Sequence, residues 1–299
     1  MNSKLSNPCE LWRRLRPALA GGSAALLLAG ATFTSQAQNS PVGTWDILMT
    51  GVRQGNMYLT FTDDGGGTVT GGEIIVPQAP SAASFSGRNI GGDAGRGNTT
   101  TTPIGGGTNF YGFFPVNGQW GFDSRGRVVG YYDEVAAMSE SPPVLFTNGV
   151  GFIGTVSLNG HITLITHTSL GTFNLRGVPA VTLPDISGSW YGIKRQQGIT
   201  DVEFFDLSPS ADFPNTYNVT GGGGPGYSFS GRAMLSAQKK LGIAFTEFVS
   251  TNYDSTRSVI GPFNPNTVSA TMTGLDSPPG PSALTNRVTF HATRRTTVP

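Results

Sequence analysis

Three histidines, His161, His167 and His291, are the side chains of this sequence best suited to hold a metal or move a proton near neutral pH. His161 and His167 are six residues apart in an alternating run, His161-Ile162-Thr163-Leu164-Ile165-Thr166-His167, so they share one face of a strand. On extended chain that spacing is roughly 20 Å, too far for two ligands of one ion. His291 has no acid beside it in sequence. Neither a metal centre nor histidine catalysis is expected.

Two glutamates carry more interest. Glu134 closes Gly130-Tyr131-Tyr132-Asp133-Glu134, and Glu247 closes Gly242-Ile243-Ala244-Phe245-Thr246-Glu247. Each shares its strand face with an aromatic ring two residues earlier, Tyr132 or Phe245. A carboxyl on an apolar face is pushed toward its neutral form and becomes able to exchange protons. A solvated place at a rim, or a pairing with arginine, is the plainer alternative. The sequence has no Gly-x-Ser-x-Gly elbow, no cluster of metal ligands and no phosphate-cradling loop. Gly221-Gly222-Gly223-Gly224 is followed by no helical pattern, so it reads as a turn. No catalytic residue and no cofactor is expected, and the chain is read as not an enzyme.

The elements that hold these residues are strands. Met57-Tyr58-Leu59-Thr60-Phe61-Thr62, Arg127-Val128-Val129-Gly130-Tyr131-Tyr132 and Val268-Ser269-Ala270-Thr271-Met272-Thr273 alternate with period two. Turn sequences such as Asp123-Ser124-Arg125-Gly126 and Leu158-Asn159-Gly160 join them into hairpins.

The chain also repeats itself. Val42-Gly43-Thr44-Trp45 is echoed by Ile186-Ser187-Gly188-Ser189-Trp190. Arg53-Gln54-Gly55 returns as Arg195-Gln196-Gln197-Gly198, and Phe61 follows its glycine as Phe204 follows Gly198. Val69-Thr70-Gly71-Gly72 returns unchanged as Val219-Thr220-Gly221-Gly222. A period this long is a duplicated domain. The expectation is an all-β protein of two tandem antiparallel meander β-barrels of about eight strands each, at residues 41–178 and 185–295, joined by a proline-containing linker at 179–184. The first unit carries an extra stretch, roughly 90–108, read as a long surface loop. Ser84-Phe85-Ser86-Gly87-Arg88 repeats as Ser228-Phe229-Ser230-Gly231-Arg232, but the strand before Lys239 fits better opposite Gln119-Trp120-Gly121-Phe122.

Residues 1–37 read as a secretory signal peptide: Lys4, Arg13, Arg14 and Arg16, then a small apolar run, then Ser35-Gln36-Ala37. The apolar run is too short and too rich in glycine for a membrane span, so export to the periplasm or the exterior is expected. Cys9, the one cysteine, lies in that leader, leaving no disulfide to staple the units. The leader also holds four of the 19 basic residues and one of the 18 acidic ones. What remains is slightly acidic without a basic stripe, which argues against nucleic acid as a partner. Charged residues are only 12 % of the chain, so Thr, Ser, Asn and Gly must supply most of the surface polarity.

A Gly-x-Trp on the first strand of a meander, with arginine near the end of the last (Arg176 in Thr172-Phe173-Asn174-Leu175-Arg176, Arg294 in Thr289-Phe290-His291-Ala292-Thr293-Arg294), resembles the calycin superfamily of lipocalins, fatty-acid-binding proteins and avidin-like proteins. That resemblance implies that Arg176 packs over Trp45 and Arg294 over Trp190 at the closed end of each barrel. The two arginines fall on opposite strand faces if the phenylalanines align. The resemblance further implies a cavity for a small apolar molecule. Tyr58, Phe61, Tyr131 and Glu134, with Phe110, Phe113 and Phe173, would line it in the first unit. Phe245 and Glu247, with Phe204, Tyr227 and Phe290, would line it in the second. The same rings equally suit a filled core. The functions expected are an exported carrier of a small apolar ligand, or a cell-surface structural or adhesive module that meets a surface partner.

Overall fold

The alternating runs pair exactly as their turns require into sixteen antiparallel strands. A computed structural model describes residues 39–77, 112–137, 145–168, 171–224, 226–249, 252–277 and 286–295. The expected leader, the stretch at 90–108 and the 84–88 copy of the short repeat lie outside these residues. The first barrel comprises β1 (Gly43–Gly51), β2 (Arg53–Thr62), β3 (Thr68–Pro77), β4 (Gly112–Phe122), β5 (Val128–Ala137), β6 (Leu145–Val156), β7 (Ile162–Thr168) and β8 (Gly171–Pro179). The second comprises β9 (Gly188–Gln196), β10 (Ile199–Pro209), β11 (Thr216–Gly224), β12 (Tyr227–Ser236), β13 (Lys240–Val249), β14 (Asn252–Asn264), β15 (Ser269–Ser277) and β16 (Asn286–Arg294). Each strand pairs with the next, and each barrel closes first strand on last, β1 with β8 and β9 with β16. Closure leaves no free sheet edge.

The repeated Gly-x-Trp has a backbone cause. Gly43 and Gly188 sit at φ +126° and +117°, a region L-residues avoid. This lets the chain turn into the barrel so that the tryptophan two residues on points inward. Trp45 Nε1 donates to the Pro41 carbonyl at 2.6 Å, and Trp190 Nε1 to the Ile186 carbonyl at 3.0 Å. Each indole therefore ties the entering segment across one end of its barrel.

Inside, alternate residues fill the lumen. In the first barrel Trp120, Phe61, Phe152 and Tyr132 form a column with successive ring centroids 6.0, 6.2 and 6.3 Å apart. In the second, Trp190, Phe205, Phe290 and Phe245 do the same at 6.1, 6.1 and 6.3 Å. Aliphatic residues including Ile47, Leu59, Leu164 and Leu175, and Leu207, Val219, Ile243 and Val259, complete the two cores.

The barrels touch along their outer walls. Tyr58, Ile74, Met234 and Ala244 form a buried cluster there, with Phe113 and Phe213 against it. Tyr58 donates to the Leu235 carbonyl at 2.8 Å and accepts from Asn215 Nδ2 at 2.9 Å. Asn56 Nδ2 reaches the Met234 carbonyl at 2.9 Å, and the Ala237 amide donates to Asp46 Oδ2 at 2.6 Å. Burial pushes the Asp46 carboxyl above its ordinary range, against the pull of these donors.

Candidate functional site: two buried charge clusters

In each barrel the half remote from the buried tryptophan holds ionised side chains on inward-facing positions. Arg53 follows the β1–β2 hairpin, at the opposite end of the first barrel from Trp45. Its Nη1 pairs with Glu134 of β5, and its guanidinium lies 5.3 Å from the Phe173 ring centroid. Both charges are buried, at 2 % and 0 % exposure. Glu73 of β3 and Tyr132 of β5 are fully buried beside them. Burial drives the Glu73 carboxyl well above its ordinary range. The Glu134 carboxylate adds to this, and Arg53 only partly offsets it. That shift favours the protonated form of the Glu73 carboxyl. Tyr132 also holds its proton, through burial first and then the two carboxyls.

The second barrel solves the same problem with more partners. Arg257 of β14 is fully buried and lies 4.8 Å from the Phe245 centroid, at the foot of the aromatic column. Its Nη1 bonds both oxygens of Glu203, at 2.7 and 2.9 Å. Its Nη2 bonds Glu247 and, at 3.1 Å, Asp276. Burial opposes the guanidinium charge, and the three carboxylates outweigh it. Glu247 also accepts from Tyr227 and from Ser255 at 2.9 Å. Its carboxyl is nonetheless raised above its usual range, chiefly by burial. Lys194 Nζ stands 3.5 Å from Glu203, and a register shift in β13–β14 falls right after Glu247.

The clusters differ in what they leave unpaired. Among the described residues, the first cluster holds five buried polar atoms with no hydrogen-bond partner: Arg53 Nε and Nη2, both oxygens of Glu73, and the Tyr132 hydroxyl. In the second cluster, among the described residues, Arg257 Nε and Asp276 Oδ1 are in that state. Buried polar atoms are normally paired, because leaving one unmade costs about 1–3 kcal/mol.

The residues expected to line cavities separate into three groups. Phe61, Glu134, Phe245 and Glu247 do face the interiors, as do Phe173, Tyr227 and Phe290. Tyr58 does not: strand alternation turns it outward from its barrel, and the second barrel buries it. Tyr131 also faces out, its hydroxyl 3.3 Å from Gln119. Phe113 packs at the inter-barrel wall. Phe204 is half exposed under Arg295, while its neighbour Phe205 takes the inner position. Phe110 lies outside the described residues.

The arginine expectation divides between the halves. Arg294 stands directly opposite Trp190, with its guanidinium against Gly188 and the Asp185 carbonyl. Arg176 is exposed and pairs across from Leu48 rather than Trp45. β8 runs on to Pro179, so Arg176 falls on the outward phase between Leu175 and Gly177, and Pro179 meets Trp45. The Arg53–Arg195 echo is likewise one of letters only. Arg53 follows its hairpin and faces in, whereas Arg195 precedes its own and faces out. Arg53, Glu73, Glu203, Arg257 and Asp276 were not singled out from sequence. Each shares an alternation phase with inward apolar residues (Glu73 with Val69 and Ile75, Glu203 with Phe205), and that is the signal that marks them.

Together these features define an all-β double barrel with a tryptophan-tied end and a charged half in each unit. No family model matches the chain, and no curated protein matches it in sequence. Among solved structures, a candidate outer membrane protein of Bacteroides fragilis NCTC 9343 is similar at 11 % identity, over 85 % of this chain and 97 % of that one, with a TM-score of 0.27. A protein of unknown function from the DUF3598 family of Nostoc punctiforme PCC 73102 is similar at 9 % identity, over 85 % and 96 %, with a TM-score of 0.20.

Proposed function

We propose that this chain is an exported binding protein rather than an enzyme, in which the first barrel carries the ligand site and the second is a filled structural partner. The observation that carries this is the gathering of unpaired polar atoms on Arg53, Glu73 and Tyr132, beside the near-complete pairing around Arg257. A small polar group that bonds those atoms supplies what the protein's own side chains do not. The aromatic columns occupy the lumens, so the ligand sits at the polar half instead of filling an apolar cavity. The leader-like start of the sequence supports export. His161, His167 and His291 are all exposed, which places the usual proton carriers away from the buried carboxyls. Native mass spectrometry of the intact exported protein tests the reading. A non-covalent adduct that is lost on denaturation, and lost in Arg53→Lys, is expected; a bare polypeptide mass would overturn it.

A structural or adhesive role at the cell surface is the second reading. It is favoured by Ile199, Val202 and Phe204 on the second barrel, exposed at 61, 50 and 50 %. Cell fractionation separates the two, since a carrier is freely soluble and an adhesive module is retained with the envelope.

A further inference from the structure

The two arginines are chemically comparable sites within one molecule, and the second shows what such an arginine accepts. Arg257 binds three carboxylates, and Lys194 balances part of their charge. Among the described residues, Arg53 is hydrogen-bonded to Glu134 alone. The atoms it leaves free, Nε and Nη2, form the side-on edge of the guanidinium, whose two parallel N–H groups match the two oxygens of a carboxylate.

The nearby unpaired groups point the same way. The Tyr132 hydroxyl is unpaired and keeps its proton, so it is a donor. Burial pushes the Glu73 carboxyl toward its neutral form, which lowers its repulsion of an anion. Arg53 and Glu134 balance one another as a buried ion pair.

We propose that the first barrel binds a small carboxylate, or another planar anion with two oxygens on one edge, bidentate on Arg53 Nε and Nη2 and capped by the Tyr132 hydroxyl. This rests on the reading of the first barrel as the binding unit. It also limits the size of the ligand. Phe173, Phe152 and the rest of the aromatic column fill the space along the barrel, so a long acyl chain has no room beneath the head group.

The test is titration of the full exported chain with sodium formate and sodium acetate, with sodium chloride holding ionic strength constant, followed by the thermal unfolding midpoint. A saturable rise with formate or acetate, and none with chloride alone, is expected. Arg53→Lys keeps the charge but lacks the two-pronged edge, and should abolish saturation. Arg53 also pairs with Glu134, so a second variant separates binding from folding: Tyr132→Phe removes only an unpaired hydroxyl and should fold normally while weakening binding about tenfold. Saturation undiminished in Tyr132→Phe overturns the assignment, since the anion then sits elsewhere. No saturation in a protein that still shows an adduct by native mass spectrometry overturns the carboxylate class and leaves the binding reading standing. No saturation and no adduct overturns both.

Discussion

Glu134 and Glu247 occupy the same place in the two barrels, the inner face of the fifth strand, yet their arginines come from different strands. Arg53 reaches Glu134 from the second strand, and Arg257 reaches Glu247 from the sixth. The duplicated fold keeps a buried carboxyl at this point and satisfies it in two ways. On the proposed reading, the satisfied version in the second barrel is a scaffold feature and the incomplete version in the first is where the ligand binds.

Replacing Arg257 should therefore be far more damaging than an ordinary core substitution. Arg257→Met strands Glu203, Glu247 and Asp276 in the interior, and should lower the unfolding free energy by about 3–5 kcal/mol. Arg53→Met strands one paired carboxylate and should cost less. Urea unfolding of the two variants, followed by tryptophan fluorescence, gives the comparison.

Glu73 makes stability fall as pH rises. Its carboxyl is held well above its ordinary range in the fold, chiefly by burial, and titrates normally in the unfolded chain. Above the ordinary glutamate range the unfolded state therefore releases a proton that the folded state keeps. This contribution is complete below that range and is lost as pH climbs toward the folded value. Asp46 and Glu247, also raised by burial, act in the same direction. Glu73→Gln mimics the protonated form. Between pH 5 and pH 8 the urea midpoint of the natural protein should fall more than that of the variant, and parallel curves would contradict this.

One hydroxyl serves the inter-barrel wall at two points. Tyr58 donates to the Leu235 carbonyl and accepts from Asn215, so Tyr58→Phe removes the donor from that buried carbonyl and one of two acceptors from the Asn215 amide. A loss of about 1–3 kcal/mol is expected in denaturant titration, although the lumen of the first barrel is untouched.

The Gly-x-Trp repeat is tested at its glycine. A Cβ on Gly43 would meet nothing within 4 Å, so Gly43→Ala isolates the cost of its positive φ, about 1–3 kcal/mol. Gly121 is equally open but has no positive φ, and Gly121→Ala should be close to neutral by the same thermal measurement.

Strand count, hairpin order and the tandem barrels were legible because period-two alternation and glycine turns are local. Phe61, Glu134, Phe245 and Glu247 were placed inside correctly for the same reason. Tyr58 was not, because its burial comes from the other barrel, and no local pattern distinguishes a wall between barrels from a lumen. Phe204 was taken for Phe205 because the letter echo ignores the single-residue offset that decides which face a side chain takes. Arg53 and Arg257 were missed because pairing across strands far apart in sequence is visible only once the barrels close.

The most direct measurement is the side-chain Nε–H NMR signals of Arg53 and Arg257 in the natural protein as sodium formate is added at constant ionic strength. The account predicts that the Arg53 signal shifts saturably while the Arg257 signal stays fixed. An Arg53 signal that does not move, or two signals that move together, would contradict it.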